Sequence, residues 1–151
     1  MNLSTLLERH AEARPDQAAI IDGDAQVTFA ELRDRARAMS HWLAEQGLGQ
    51  GSRVLIFVPM SVDLYVVLLG VWHLGAIAVF VDPGMGRKQI EAAVDLAAPD
   101  LFAAIPKAQL FRWFSRPLRR VSKTLTVGGR RLSRRLAGRP ADASATPLSA
   151  D

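Results

Sequence analysis

The residues of this 151-residue chain best suited to chemistry are glycines and cations. Gly84-Met85-Gly86-Arg87-Lys88 follows an apolar run and opens an amphipathic one. At a strand-to-helix turn, glycines let backbone N–H groups approach an anion, and the helix start adds positive potential. Gly84, Gly86, Arg87 and Lys88 are therefore the candidate anion site. The pattern is shorter than a full phosphate-binding fingerprint. A tight turn carrying two solvated cations explains the same residues and is the expected reading.

Other reactive types are sparse. The chain has no cysteine, which removes disulfides, thiolate metal sites and a cysteine nucleophile together. Its three histidines, His10, His41 and His73, fall in helical patterns without a serine or carboxylate arranged as a triad. His73 stands near a helix end, where a cation is favoured. Ser61 has the position of a helix cap, and Asp82 precedes Pro83 as turn chemistry prefers. No metal-ligand spacing occurs, and no residue is assigned a catalytic role.

Charge is distributed unevenly. The net value is +4, yet the first hundred residues are acidic on balance, and Leu101 to Ala141 holds eleven Lys or Arg and no Asp or Glu. The halves call for separate readings. The basic stretch interleaves its cations with Leu110, Phe111, Trp113, Phe114, Leu118, Leu132 and Leu136. Such a segment suits an anionic membrane surface, with Arg130, Arg131, Arg134 and Arg135 as the expected contacts. Phosphates of nucleic acid suit the cations too, so a non-enzymatic membrane- or nucleic-acid-binding module using 107–139 is the alternative function, although nucleic acid is not the expected partner. The plainer and expected reading is a solvated surface region of a larger domain, whose apolar residues pack on parts that the 151 residues do not include.

Among the elements that must position these residues, Thr5 and Glu8 have capping-box spacing, and Leu3, Leu6, Leu7, His10 and Ala11 share a helical face. Asp22-Gly23 marks a hairpin turn. Thr28 and Glu31 form a second capping box. The helix after it carries a buried stripe of Phe29, Leu32, Ala36, Met39 and Leu43, and Gly47 ends it. The rhythm then becomes strand, helix, strand, helix, strand: 54–58, 61–74, 77–81, 87–97 and 101–105. Apolar strands alternating with helices predict an open, mostly parallel α/β sheet covered on both faces. Beyond Pro106 the spacing predicts one short helix over 108–114 and a strand over 124–127. Pro140 to Asp151 has the composition of a linker or tail. The expected division is 1–106 as α/β core, 107–139 as a basic extension of the same domain, and 140–151 as linker.

Leu64 to Val81 is apolar enough to imitate a membrane span. Gly70, His73 and Gly75 interrupt it, and a soluble helix-turn-strand is the expected reading. The start, Met1-Asn2-Leu3-Ser4, lacks an export pattern. A cytoplasmic location is expected, with peripheral attachment to a membrane as a further option.

A set of short motifs now stands in order. Thr28-Phe29-Ala30-Glu31-Leu32 resembles the "TYxEL" signature of adenylate-forming enzymes. Leu43, Gly47-Leu48 and Gly51-Ser52-Arg53-Val54 resemble their "L…GV…GDRV" segment, with Ser52 where aspartate is common. Pro59-Met60-Ser61 stands where "PN" is usual, and Gly75-Ala76-Ile77 matches "GA". Together they identify the chain as resembling the N-terminal portion of the AMP-dependent synthetase/ligase superfamily. Val81-Asp82-Pro83-Gly84-Met85-Gly86, Ile105-Pro106-Lys107-Ala108 and Thr126-Val127-Gly128-Gly129 look like the olefin β-lactone synthetase branch. Fatty-acid–CoA ligases share much of that pattern.

The resemblance implies activation of a lipid-like, long-chain β-hydroxy carboxylic acid with ATP and Mg²⁺. The family's Ser/Thr/Gly-rich phosphate loop, its aromatic-Gly-Glu segment, its ribose-binding aspartate and its C-terminal-domain lysine have no counterpart in the 151 residues. The chain alone is therefore expected to bind no cofactor and to be inactive. Its expected partner is the remainder of an adenylating enzyme, in the same or a separate chain.

Overall fold

The computed structural model describes residues 3–81, 84–128 and 130–139, Arg130 without its side chain. The expected Asp82-Pro83 turn, Gly129 and the expected linker 140–151 lie outside the described residues.

Helix α1 (Leu3–Ala13) leads into a hairpin of β1 (Ala18–Asp22) and β2 (Ala25–Thr28), paired antiparallel around Gly23 at φ +60°. Helix α1 starts before Thr5, so that residue is no cap. Glu8 instead spans 29 positions to Arg37, meeting its guanidinium at 2.9 and 2.6 Å. Tertiary pairing has overridden a local signal there.

Helix α2 (Phe29–Glu45) begins as its sequence predicts. Thr28 Oγ1 accepts from the Glu31 N–H at 3.2 Å, and the Glu31 carboxylate accepts from the Thr28 N–H at 3.0 Å. Leu32, Ala36, Met39 and Leu43 are buried, whereas Phe29 is partly exposed and stacks with His10, ring centroids 5.2 Å apart. Gly47 takes φ +76°, the left-handed conformation that closes a helix without strain on a side chain.

Four parallel strands follow: β3 (Arg53–Phe57), β4 (Ile77–Phe80), β5 (Leu101–Ala104) and β6 (Lys123–Thr126). They lie in the order β4-β3-β5-β6. Between them run α3 (Val62–His73), α4 (Arg87–Ala97), α5 (Pro106–Phe114) and α6 (Arg116–Arg120), and α7 (Arg130–Leu136) comes last. Alternate strand residues feed two cores. Val54, Ile56, Leu101 and Ala103 join α2, α3 and the Leu132 and Leu136 side chains of α7 on one face. Leu55, Phe102 and Ala104 join Ile90, Val94, Leu118 and Val121 on the other. The sheet is thus covered on both faces, as expected.

Two details differ from the sequence expectation. β4 is an edge strand and leaves Ile77 and Phe80 exposed, because nothing among the described residues pairs beyond it. Helices α6 and α7 were not anticipated. Each is short, and each is held by apolar residues sunk into a core that no local pattern reveals. The apolar run from Leu64 splits into α3 and β4, as expected, and among the described residues no helix is long and apolar enough to cross a membrane.

Candidate functional site

The chain leaves β3 through α3 to reach β4, then crosses back through α4 to β5 on the other side of β3. The carboxyl ends of β3 and β5 therefore feed connections that diverge to opposite faces. That divergence opens a crevice, the usual ligand position in an open parallel sheet. Here it has a volume of about 490 Å³.

Each wall follows from local chemistry. β3 ends at Phe57 and turns through Val58-Pro59, since a residue before proline is driven out of helical geometry. β5 ends at Ala104, Ile105 stands at the N-cap of α5, and Pro106 takes the first position of that helix, where its missing N–H costs nothing. Phe57, Pro59, Met85, Ile90, Ile105 and Phe111 make the lining apolar. Arg87 and Lys107 supply its charge.

The two cations differ. Arg87 donates through Nε to Glu91 Oε1 at 3.1 Å and through Nη2 to the Phe114 carbonyl, which ties α4 to the end of α5. Lys107 is exposed and makes no ion pair among the described residues. An apolar chain with an anionic end matches this arrangement. Among the described residues no hydroxyl, carboxylate or imidazole lines the crevice, and the side chains that do line it are suited to binding an apolar group.

The sequence-expected anion turn borders this crevice. Its Gly86 N–H is taken by Gln89 Oε1 at 2.7 Å, which caps α4, and Arg87 is paired as described. Lys88 is exposed beside them. Among Arg131, Arg134 and Arg135, the first two face solvent, and the Arg135 guanidinium lies 5.6 Å from the Trp42 ring centroid in a cation–π contact. The Arg130 side chain lies outside the described residues.

The remaining candidates serve structure. Ser61 Oγ accepts from the Leu64 N–H at 3.2 Å and donates to the Pro59 carbonyl at 3.0 Å, capping α3. His73 is half-buried at the end of α3. Burial, the dominant influence, lowers its pKa below the ordinary 6.5, with Arg37 and His41 acting the same way and Glu8 opposing them. Desolvation thus outweighs the helix-end attraction expected for a cation. Asp63, in the first turn of α3, has its pKa raised by burial against the opposing pull of Arg35. It borders a second hollow of about 330 Å³ among α2, α3 and α7, which touches no strand end.

Sequence reasoning had not joined Phe57, Met85, Lys107 and Phe111 into one site. The available signal was the pair of prolines, Pro59 and Pro106, each placed just past a strand. Among the described residues no three His, Asp or Glu side chains are grouped to hold a metal ion. Of the expected anion-turn residues, the Gly86 N–H and the Arg87 guanidinium are already engaged within the chain.

The comparisons with known proteins agree with this architecture. The model of the family described as AMP-binding enzyme matches residues 7–142. The olefin beta-lactone synthetase of Xanthomonas campestris pv. campestris is 34% identical over 140 residues, covering 85% of this chain and 25% of that protein. A medium/long-chain-fatty-acid–CoA/3-oxocholest-4-en-26-oate–CoA ligase of Mycobacterium marinum is 34% identical over 82 residues, 54% of this chain and 15% of that protein. A fatty acyl CoA synthetase structure from Mycobacterium tuberculosis superposes with a TM-score of 0.83 at 22% identity, covering 99% of this chain and 31% of that one. The chain thus spans a quarter or less of the length of these curated relatives. On the extent of the family match and the shared fold, the chain belongs to the AMP-binding, adenylate-forming ligase family, of whose domain it represents the N-terminal portion.

Proposed function

We propose that this chain is the N-terminal part of an ATP-dependent ligase that activates a lipid-like carboxylic acid as its acyl-adenylate. The acid of choice is a long-chain β-hydroxy fatty acid carried on to a β-lactone, with a fatty acyl-CoA as the other outcome. The observation that carries this reading is the 34% identity to an olefin beta-lactone synthetase over 85% of the chain. The apolar crevice with Lys107 at its rim supports it, because a fatty acid is an apolar chain with one anionic end. ATP and Mg²⁺ belong to the complete enzyme, and the chemistry rests on motifs that the 151 residues do not contain. Residues 1–106 and the basic 107–139 form one domain in this reading, as the joining of β6 to the sheet and the packing of α7 on α2 suggest. The partner is the rest of the ligase. Peripheral attachment to a membrane is part of the proposal.

ATP–pyrophosphate exchange tests it. The 151-residue chain is expected to give no exchange with any β-hydroxy fatty acid, whereas the polypeptide extended through the phosphate loop and C-terminal domain gives exchange dependent on that acid. Exchange by the chain alone overturns its inertness. An extended enzyme silent toward every fatty and β-hydroxy fatty acid overturns the ligase assignment.

A further inference from the structure

We infer that the corner formed by α5 and α6 is a docking surface for an anionic lipid bilayer, and that the denser arginine cluster of α7 is not. Three observations place it there. Leu110, Trp113 and Phe114 fall at helical spacings of three and four on α5, and they are 62%, 76% and 69% exposed. Large apolar side chains displayed together in this way mark an interaction surface. Cations surround them: Lys107 precedes them on α5, and Arg116 and Arg119 follow on α6, all exposed and without a carboxylate partner among the described residues. Trp113 and Arg119 line one shallow hollow with Arg112.

The corner is also firmly mounted. The Arg112 guanidinium donates to the Leu118 carbonyl at 3.1 Å and to the Val121 carbonyl at 2.7 Å, stapling α5 to the segment after it. Beneath it, Leu118 and Val121 are buried in the core, with Ala108 and Phe111 packed against them. The exposed face is therefore what remains after α5 and α6 have satisfied the core, not a loosely attached segment.

Charge selects the occupant. From Leu101 to Ala141 no acidic residue offsets the cations, so the surface complements an anionic partner. Exposed Trp and Phe flanked by Lys and Arg suit the bilayer interface, where rings sit among headgroups and cations meet anionic lipid. Helix α7 lacks this combination. Its Leu132 and Leu136 are buried, Arg135 covers Trp42, and Arg139 holds Glu45 at 2.7 Å. It also packs on the sheet face opposite α6. A bilayer touching the α5–α6 corner leaves α7 behind the sheet, about a Debye length or more from the lipid charge. The use of such a surface, bringing the enzyme to its lipid-like acid, rests on the ligase reading above. The geometry of the surface does not.

The test is co-sedimentation of the 151-residue chain with vesicles of phosphatidylcholine alone or mixed with phosphatidylglycerol, with tryptophan emission followed in parallel. Binding is expected only with phosphatidylglycerol, with a blue shift carried by Trp113, since Trp42 is buried and Trp72 is half-buried. Arg116→Gln with Arg119→Gln is expected to weaken partition about thirtyfold, the effect of two cations near an anionic surface. Trp113→Ala with Phe114→Ala is expected to weaken it at least about tenfold and abolish the shift. Arg131→Gln with Arg134→Gln is expected to stay within about threefold of the parent, because that charge is screened. Equal binding to both vesicle types, loss of binding with the α7 pair, or no binding at all overturns the inference. ATP–pyrophosphate exchange by the extended enzyme is scored separately, so the ligase reading and the membrane surface can fail independently.

Discussion

Gly70→Ala probes the helix crossing on which the sheet is mounted. Gly70 is buried in α3, where that helix passes over α2. A Cβ placed on it stands 2.7 Å from Met39 Cβ and 3.1 Å from the Ala36 carbonyl oxygen, with Met39 Cγ nearer still. Met39 is completely buried and cannot swing into solvent, and the carbonyl belongs to the α2 backbone. On an open helix surface, alanine in place of glycine is worth about 1 kcal/mol of stability. Overpacking a filled core costs about 1–3 kcal/mol, and the backbone contact places this site toward the upper end. The net expectation is a loss of about 1–2 kcal/mol, or a fall in Tm of about 2–8 °C at this chain length. Urea unfolding followed by circular dichroism measures it. Met39→Ala alone should cost about 2–5 kcal/mol. In the double variant the methyl group introduced by Gly70→Ala enters the space vacated by Met39, so the double-mutant cycle should show a favourable coupling of at least about 1 kcal/mol. A higher urea midpoint for Gly70→Ala, or strict additivity in the cycle, refutes the close approach of the two helices.

Two further outcomes follow from the described geometry. Thr28→Ala removes the side-chain acceptor of the α2 capping box and should lower stability by about 1 kcal/mol, read as a shifted urea midpoint; an unchanged midpoint means that the cap is not holding the helix. Burial lowers the His73 pKa below 6.5, so folding favours the neutral ring: stability is intact well above 6.5 and declines as pH falls through 6.5 and then through the lower folded value. His73→Gln should reduce the loss of stability between about pH 7.5 and about pH 5, and an unaltered pH profile assigns that loss to other groups.

What was legible in the sequence was whatever is written locally. The α2 cap, the Ser61 cap and the positive-φ glycines Gly47 and Gly75 each act within a few residues, and each stands where the pattern put it. The parallel strands were legible as apolar runs, because both faces of β3 and β5 are buried. Periodicity failed at Ile77 and Phe80, since an edge strand and a central strand have similar composition and differ only in their neighbours. Thr5 and Glu8 failed for a related reason: the spacing was right, but Arg37 was the better partner for the carboxylate. The crevice was not legible at all. It exists because β5 lies beside β3 rather than β4, a property of strand order that no residue spacing encodes.

The charge asymmetry is the clearest case in which composition needed the fold to interpret it. A count along the chain sets an acidic first hundred residues against a basic end, and it draws attention to the arginines from 130 to 135, where cations are densest. In space the two regions interleave. Arg139 returns to Glu45, 94 residues earlier, and Arg120 approaches Asp95 at 3.5 Å. Exposed pairs like these contribute little stability, at most about 1 kcal/mol each, but they account for where the cations point. β6 enters the sheet between α6 and α7 and sends the basic residues on either side of it to opposite faces. Density of charge therefore says little about a binding surface here, because α7 commits its apolar residues to the core. Helix α5 keeps Leu110, Trp113 and Phe114 in solvent, an exposure of apolar area that its own packing does not require. Among the described residues the α5–α6 corner combines exposed apolar side chains with cations that lack a carboxylate partner, and α7 does not, which is the difference the vesicle experiment reads.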